Sequence, residues 1–248
     1  MKSHKYRKRF YRDWVDSYGK YQLRISIKET DLQILADRPI DNAYVKERIN
    51  VYRRDIEDYI TRDGRFLTAL KPLAVELYAP LIVKRMAKAS GDAGVGPMAA
   101  VAGAIAEFLG RDLLRNGCKD IIIENGGDIF LSIRRACKVA IYGGPSSLFK
   151  GLNLKIKAED TPIGICTSSG TLGHSLSFGQ ADSVTILSKN ASLADAVATA
   201  AANRIKSPKD LEKALDFARS IKGVSGITVI MKKRLMSWGR VQFASVKE

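Results

Sequence analysis

Residues 165–170 read Ile-Cys-Thr-Ser-Ser-Gly, and residues 194–199 read Ala-Asp-Ala-Val-Ala-Thr. The first stretch closes a short apolar run, Pro162 to Cys166, of strand length, and passes into hydroxyls and glycine, the composition of a turn. The second lies in the run Leu193 to Asn203, opened by Ser192, a residue type that caps helices. Cys166 to Asn203 therefore reads as a strand end, a Ser/Gly-rich turn and a helix, with Val184 to Leu187 as a further strand between turn and helix. Asp195 and Thr199 are four residues apart, so they stand one above the other on a single helix face. A carboxylate and a hydroxyl so placed are hard oxygen ligands suited to magnesium, which completes its shell with water and substrate phosphates. The same pair also has an ordinary structural explanation. An acid in the first helical turn is favoured by the helix dipole, and a threonine can bond back to its own helix.

Outward from this stretch the periods are those of an α+β chain. Leu23, Ile25 and Ile27 alternate with Arg24, Ser26 and Lys28, and Leu32 to Ala36 follows a polar turn, which predicts a hairpin. Behind a cap at Asp41-Asn42, Val45, Ile49, Tyr52, Ile56 and Tyr59 recur at helical spacing down to Gly64. A second helix is predicted from Leu81 to Lys88, ending at Ser90-Gly91, and a third begins after Pro97 and closes at Gly117. Its small residues suit close backbone packing. Asp120 to Glu124 reads as a buried strand, Asn125-Gly126-Gly127-Asp128 as a tight turn, and Ile129 to Ile133, Lys138 to Tyr142 and Leu152 to Ile156 as strands. Ser207-Pro208 opens a last helix through Leu211 to Ala218, and Ile227 to Met231 and Val241 to Val246 are the closing strands. With no linker and no repeat, residues 1–248 read as one domain that includes a basic N-terminal segment at 1–20.

The bulk properties exclude several classes. At 248 residues, with 46% hydrophobic and 27% charged residues, the chain can bury a real core and is no disordered protein. The longest apolar stretch, Met98 to Ile105, is cut by Glu107 and Arg111, so no spanning helix is expected, and the charged start lacks an apolar signal core. The cytoplasm is the expected location. Cys118, Cys137 and Cys166 have none of the spacings of a zinc or redox motif and read as free thiols. The net charge of +15 suits nucleic acid, anionic lipid or a phosphorylated small molecule. Lys2, Lys5, Arg7, Lys8, Arg9 and Arg12, interleaved with Tyr6, Phe10 and Tyr11, could track a phosphate backbone, or could be a solvated terminal segment whose aromatics pack on the domain.

The hydroxyls and amides of Thr167, Ser168, Ser169 and Gly170 could cradle phosphate or orient a ribityl chain. His174 follows that loop and is a candidate acid/base or phosphate contact, against the commoner structural role of a lone histidine. Three segments together resemble the ApbE family: Gly94 to Gly103 before a helix, the Asn125-Gly126-Gly127-Asp128 turn, and Thr167 to Gly170 through His174 to Ala194–Thr199. Over the whole chain the likeness is to the UPF0280 branch of ApbE-like proteins. The resemblance implies an α+β fold of layered mixed or antiparallel sheets with packed helices, and a flavin or nucleotide site between layers. Characterised ApbE members are magnesium-dependent FAD:protein FMN transferases.

Carried over, the resemblance makes Asp195 and Thr199 metal ligands together with a backbone carbonyl near Gly96 to Gly103. It sets Gly126, Gly127 and Asp128 along the ligand, and Ser168, Ser169 and Gly170 in its loop. The implied cofactors are Mg2+ and FAD or a related nucleotide. The expected partner is a phosphate-containing small molecule, with a homo-oligomer allowed and neither membrane nor nucleic acid expected. One departure matters: the transferases carry an Asp-Pro pair and a Thr-Gly turn just after the histidine, whereas His174 here leads into Ser175-Leu-Ser-Phe-Gly-Gln-Ala-Asp182. An alternative on the same scaffold is a non-flavin enzyme of sulfur metabolism with Cys166 and His174 as its reactive pair, Cys166 acting as nucleophile or sulfur carrier.

Overall fold

The computed structural model describes residues 21–141, 149, 152–169 and 179–244. Gly170, His174 and the basic segment at 1–20 lie outside the described residues.

The chain opens as the expected hairpin, β1 (Tyr21–Ile27) against β2 (Thr30–Ala36). Helix α1 (Asn42–Arg62) follows, started by Asp41, whose Oδ1 accepts from the Ala43 amide at 2.8 Å. Its buried residues are the five that the apolar stripe names, Val45, Ile49, Tyr52, Ile56 and Tyr59, so the helix lays one face on the core and leaves its charges outside. After the one-turn α2 (Arg65–Thr68), helix α3 runs Leu81–Ala93 and is stopped by Gly94 in the left-handed conformation, φ 72°. The expected stop at Ser90-Gly91 is corrected: both are helical, and Ser90 Oγ donates to the Ala87 carbonyl within the helix. A 3-10 turn at Pro97–Ala100 leads into α4 (Val101–Arg115).

Strands β3 (Ile121–Asn125), β4 (Asp128–Ser132), β7 (Ile163–Ser168), β8 (Ser183–Ser188), β9 (Val224–Met231) and β10 (Arg234–Gly239) join the hairpin in one eight-stranded sheet, ordered β1-β2-β3-β4-β7-β8-β9-β10. Every neighbouring pair is antiparallel. A second sheet of three strands, β11 (Phe243–Ala244), β6 (Asn153–Ile156) and β5 (Cys137–Ala140), lies over one face. Helices α5 (Ala191–Arg204) and α6 (Leu211–Ser220) pack with α1, α3 and α4 on the other. The closing stretch differs from expectation. Strand β10 is an added hairpin arm turned at Lys232, φ 56°, and the last described strand is the two-residue β11.

Because both faces are covered, alternate residues of the central strands enter different cores. Ile121 and Ile123 pack on the helix side while Ile122 packs toward the small sheet; Cys166 and Ile186 face helices while Ile165 and Leu187 face the small sheet. This is why the run Ile121 to Ile123 is continuously apolar. The fold is α+β with layered antiparallel sheets and packed helices, as the sequence implies. Among the described residues no single helix is long and apolar enough to cross a membrane.

Candidate functional site

Helix α5 is buried on all sides: every residue from Ala191 to Ala202 is covered. Alanine on successive turns lets β7, β8, α3 and α4 approach its backbone. One close approach is from α4. A Cβ on Gly103 would stand 2.4 Å from the Ala191 carbonyl oxygen and 2.9 Å from Asp195 Cβ, so only glycine fits there. That contact seats the Asp195 carboxylate at the first turn of α4, where Oδ2 accepts from the Gly103 amide at 2.9 Å. The early amides of a helix lack partners inside it and carry the positive end of its dipole, so they suit an acid.

The start of α5 differs from expectation. Its cap is Asn190, and Ser192 lies inside the first turn, its amide and hydroxyl both 3.3 Å from Glu107 Oε2. Glu107 is fully buried on α4, and its other oxygen is 2.9 Å from Arg111. This acid clamps the two helices together and was not among the site residues read from sequence. Its signal there is the i, i+4 pair with Arg111 inside an apolar helix.

Strands β3 and β4 enter the site through their turn. Gly126 and Gly127 have φ 69° and 105°, the positive values that a two-residue hairpin of this kind needs at both positions. Gly127 donates its amide to Glu124 Oε1 at 2.7 Å, and Asn125 Nδ2 donates to the Ala102 carbonyl at 3.0 Å, tying the turn to the head of α4. Asp128 leads β4 and faces Cys166 of β7 across the ladder. Cross-strand partners share a face, and so do residues two apart, which brings Asp128, Cys166 and Ser168 together beneath α5. Cys166 Sγ donates to the Ala191 carbonyl at 3.2 Å, one helical turn before Asp195. Thr167 points to the other side, its hydroxyl 2.9 Å from that of Thr185. Ser169 directly follows β7, and Thr199 lies one turn along α5 from Asp195, equally buried.

The electrostatics follow from burial. Burial pushes the Asp195 carboxyl up to about 7, against the Gly103 and Ala102 amides, which pull it down. Asp128 is raised well above the carboxylate range, first by burial and then by the Asp195 charge, with Cys166 and Thr167 as partial offsets. Burial, reinforced by both carboxylates, also raises the Cys166 thiol well above its ordinary value. Among the described residues, Asp128 Oδ1 and Ser168 Oγ are buried without a hydrogen-bond partner. Such atoms are costly in a low-dielectric interior and suit a ligand that supplies what they lack.

The structure thus brings Gly126, Gly127, Asp128, Cys166, Ser168, Asp195 and Thr199 into one neighbourhood and turns the Thr167 hydroxyl away. Among the described residues there is no group of three or more His, Cys, Asp and Glu set to hold a metal ion. A cation here would rest on one or two carboxylates with hydroxyl and backbone oxygens, a set that fits magnesium and not zinc.

The sequence model of the family described as AbpE bacteria matches residues 12–235. A UPF0280 protein of Methanococcus maripaludis is 43% identical over 230 residues, covering 89% of this chain and 91% of that protein. One from Methanosarcina acetivorans is 40% identical over 216 residues, covering 87% and 85%. Among solved structures, the flavin transferase ApbE from Vibrio cholerae aligns with a TM-score of 0.60 at 15% identity, over 88% of this chain and 96% of that one. The apo form of the flavinyl transferase ApbE from Pseudomonas stutzeri gives 0.59 at 12% identity, over 88% and 94%. At these identities the two structures share a fold with this chain.

Proposed function

The chain belongs to the UPF0280 proteins and to the family described as AbpE bacteria, and from that membership we propose that it binds a flavin nucleotide such as FAD together with magnesium at the head of α5. The observation that carries this is the group of buried oxygens around Cys166: the Asp195 carboxyl on the first turn of α4, with Asp128 Oδ1 and Ser168 Oγ lacking partners among the described residues. Asp195 and Thr199 would hold the cation, and Asp128, Ser168 and the Gly126-Gly127 turn would border the nucleotide. Magnesium, when bound, would neutralise a diphosphate and draw its oxygens into a fixed pose. The protein's own part is to hold the acid dry, with the Gly103 amide orienting it and α5 excluding water. The fold shared with the flavin transferases of Vibrio cholerae and Pseudomonas stutzeri supports a flavin as the nucleotide. The stretch after His174, which departs from the transferase pattern, favours binding over transfer of the flavin.

The test is a fluorescence titration of FAD into the full chain with magnesium and with EDTA. Binding should require magnesium and weaken by at least about tenfold in Asp195→Ala. Absence of binding, or binding indifferent to both changes, contradicts the proposal.

We assign Cys166 a packing role rather than that of a nucleophile. It is fully buried, its S–H is engaged by the Ala191 carbonyl, and two acids beside it oppose a thiolate. Cys166→Ala should keep magnesium-dependent FAD binding within about twofold, since the loss of one buried sulfur removes packing and no ligand contact.

A further inference from the structure

On the side of the eight-stranded sheet away from α5, a cleft of about 370 Å³ opens where the chain crosses from the large sheet to the small one. Its volume falls in the range of small-molecule sites. Its floor is Ile156, Ile163 and Leu187, all from the core between the two sheets, whereas Cys166 and Ala191 belong to the core on the helix side. The walls are pinned by backbone. After β10, Arg240 donates its amide to the Ser225 carbonyl at 2.8 Å, and Lys155 of β6 donates its own to the Gln242 carbonyl at 2.8 Å. Segment 240–242 is thus tied to both sheets.

Four cations line this cleft, Lys155, Lys157, Lys189 and Arg240, against two acids, Glu159 and Asp160. The difference, four minus two, leaves two positive charges in excess. The acids neutralise their partners weakly. Lys157 meets Glu159 at 3.5 Å and Arg240 meets Asp160 at 3.5 Å, and three of these four side chains are 44% exposed or more. Open pairs of this kind contribute little and exchange readily with a competing anion. Lys189 Nζ donates to the Asp160 carbonyl at 3.1 Å, which anchors it at the rim with its charge uncompensated by a carboxylate there. Guanidinium and ammonium groups are the donors that receive phosphate oxygens, and a phosphomonoester carries about −1.5 to −2 at neutral pH, of the order of the excess.

We propose that this inter-sheet cleft is a second ligand site, separate from Asp195, that takes a small organic phosphate, its phosphoryl group on Lys157, Lys189 and Arg240. A lone inorganic phosphate would leave most of the cleft empty, so the ester's organic part contributes to binding. The inference stands apart from the flavin proposal, and its probe is chosen to bear no nucleotide.

Isothermal titration of the full chain with phenyl phosphate, and separately with inorganic phosphate, tests it at low ionic strength. Phenyl phosphate should bind, by about tenfold or more over inorganic phosphate. The double variant Lys157→Glu with Arg240→Glu should weaken it by about tenfold or more. Asp195→Ala should leave it unchanged. Both altered positions are on the surface, and a thermal melt checks folding; the milder pair Lys157→Gln and Arg240→Gln serves if charge reversal unfolds the chain. No binding at millimolar phenyl phosphate, equal affinity for the two phosphates, or binding lost in Asp195→Ala and kept in the charge-reversed variant would each overturn the proposal.

Discussion

The two faces of the eight-stranded sheet are built from different residues for different ends. Toward the three-stranded sheet the core is branched aliphatics, Leu131, Ile133, Leu154, Ile156 and Ile163 among them, which fill volume and hold two layers together. Toward the helices the centre is Gly103, the alanines of α5 and Cys166, which bring backbones close and leave room for Asp128 and Asp195 in the interior. The helix-side core has large side chains of its own, Phe66, Phe130, Ile82 and Met86 among them. At the head of α5, however, small residues trade packing for a buried acidic site, since a polar group taken out of water costs free energy unless something satisfies it.

The difference can be broken by substitution. Leu131→Ala, fully buried between the sheets, should have the largest effect, on the order of 3 kcal/mol of stability by urea denaturation, with magnesium-dependent FAD binding retained in the folded fraction. Gly103→Ala comes next. Its Cβ would meet the Ala191 carbonyl at 2.4 Å and force α4 from α5, so a loss of about 2 kcal/mol is expected, accompanied this time by loss of FAD binding. If Gly103→Ala bound FAD as the parent does, the contact between the helices would not be what sets Asp195.

Acidity gives a subtler distinction. Asp195 is raised in the folded chain to about 7, so the stability contributed by its protonated form is complete below the unfolded carboxylate value of about 4 and is lost as pH rises through about 7. Asp128 is raised in the same sense. Without magnesium the melting temperature should fall on the order of 5 °C between pH 5 and pH 8, and Asp195→Asn should flatten that fall. Added magnesium should stabilise more as pH rises over the same window, because it needs the carboxylate. The smallest effect expected is a gain. Gly91, inside α3, has open space at its Cβ position, so Gly91→Ala should add about 0.5–1 kcal/mol, opposite in sign to the same change at Gly103.

Local periodicity exposed the parts of this molecule that local forces determine. The α1 stripe is one, since each of its five apolar positions is buried, and the β1–β2 hairpin is another. The vertical pairing of Asp195 with Thr199 is a property of any helix and was legible for that reason. What the sequence concealed depends on distant partners. Ser192 looks like a cap, but Glu107 on α4 draws its hydroxyl and the helix starts earlier, after Asn190. Strand β10 is fixed by its ladder to β9 more than by its own weak alternation. Asp128 faces Cys166 only because β4 lies beside β7, with the two-stranded excursion of β5 and β6 looped out between them. The Thr167 hydroxyl turns from the site because a strand alternates, a fact that depends on how far β7 extends into the Ser/Gly-rich stretch.

Native mass spectrometry of the full chain with FAD and magnesium tests most directly the proposal that the acid at the head of α5 holds magnesium for a flavin nucleotide. The expected spectrum carries one mass increment equal to FAD plus magnesium, absent with EDTA and absent from folded Asp195→Ala. A chain that gains no FAD, or gains it equally with EDTA and in Asp195→Ala, would contradict it.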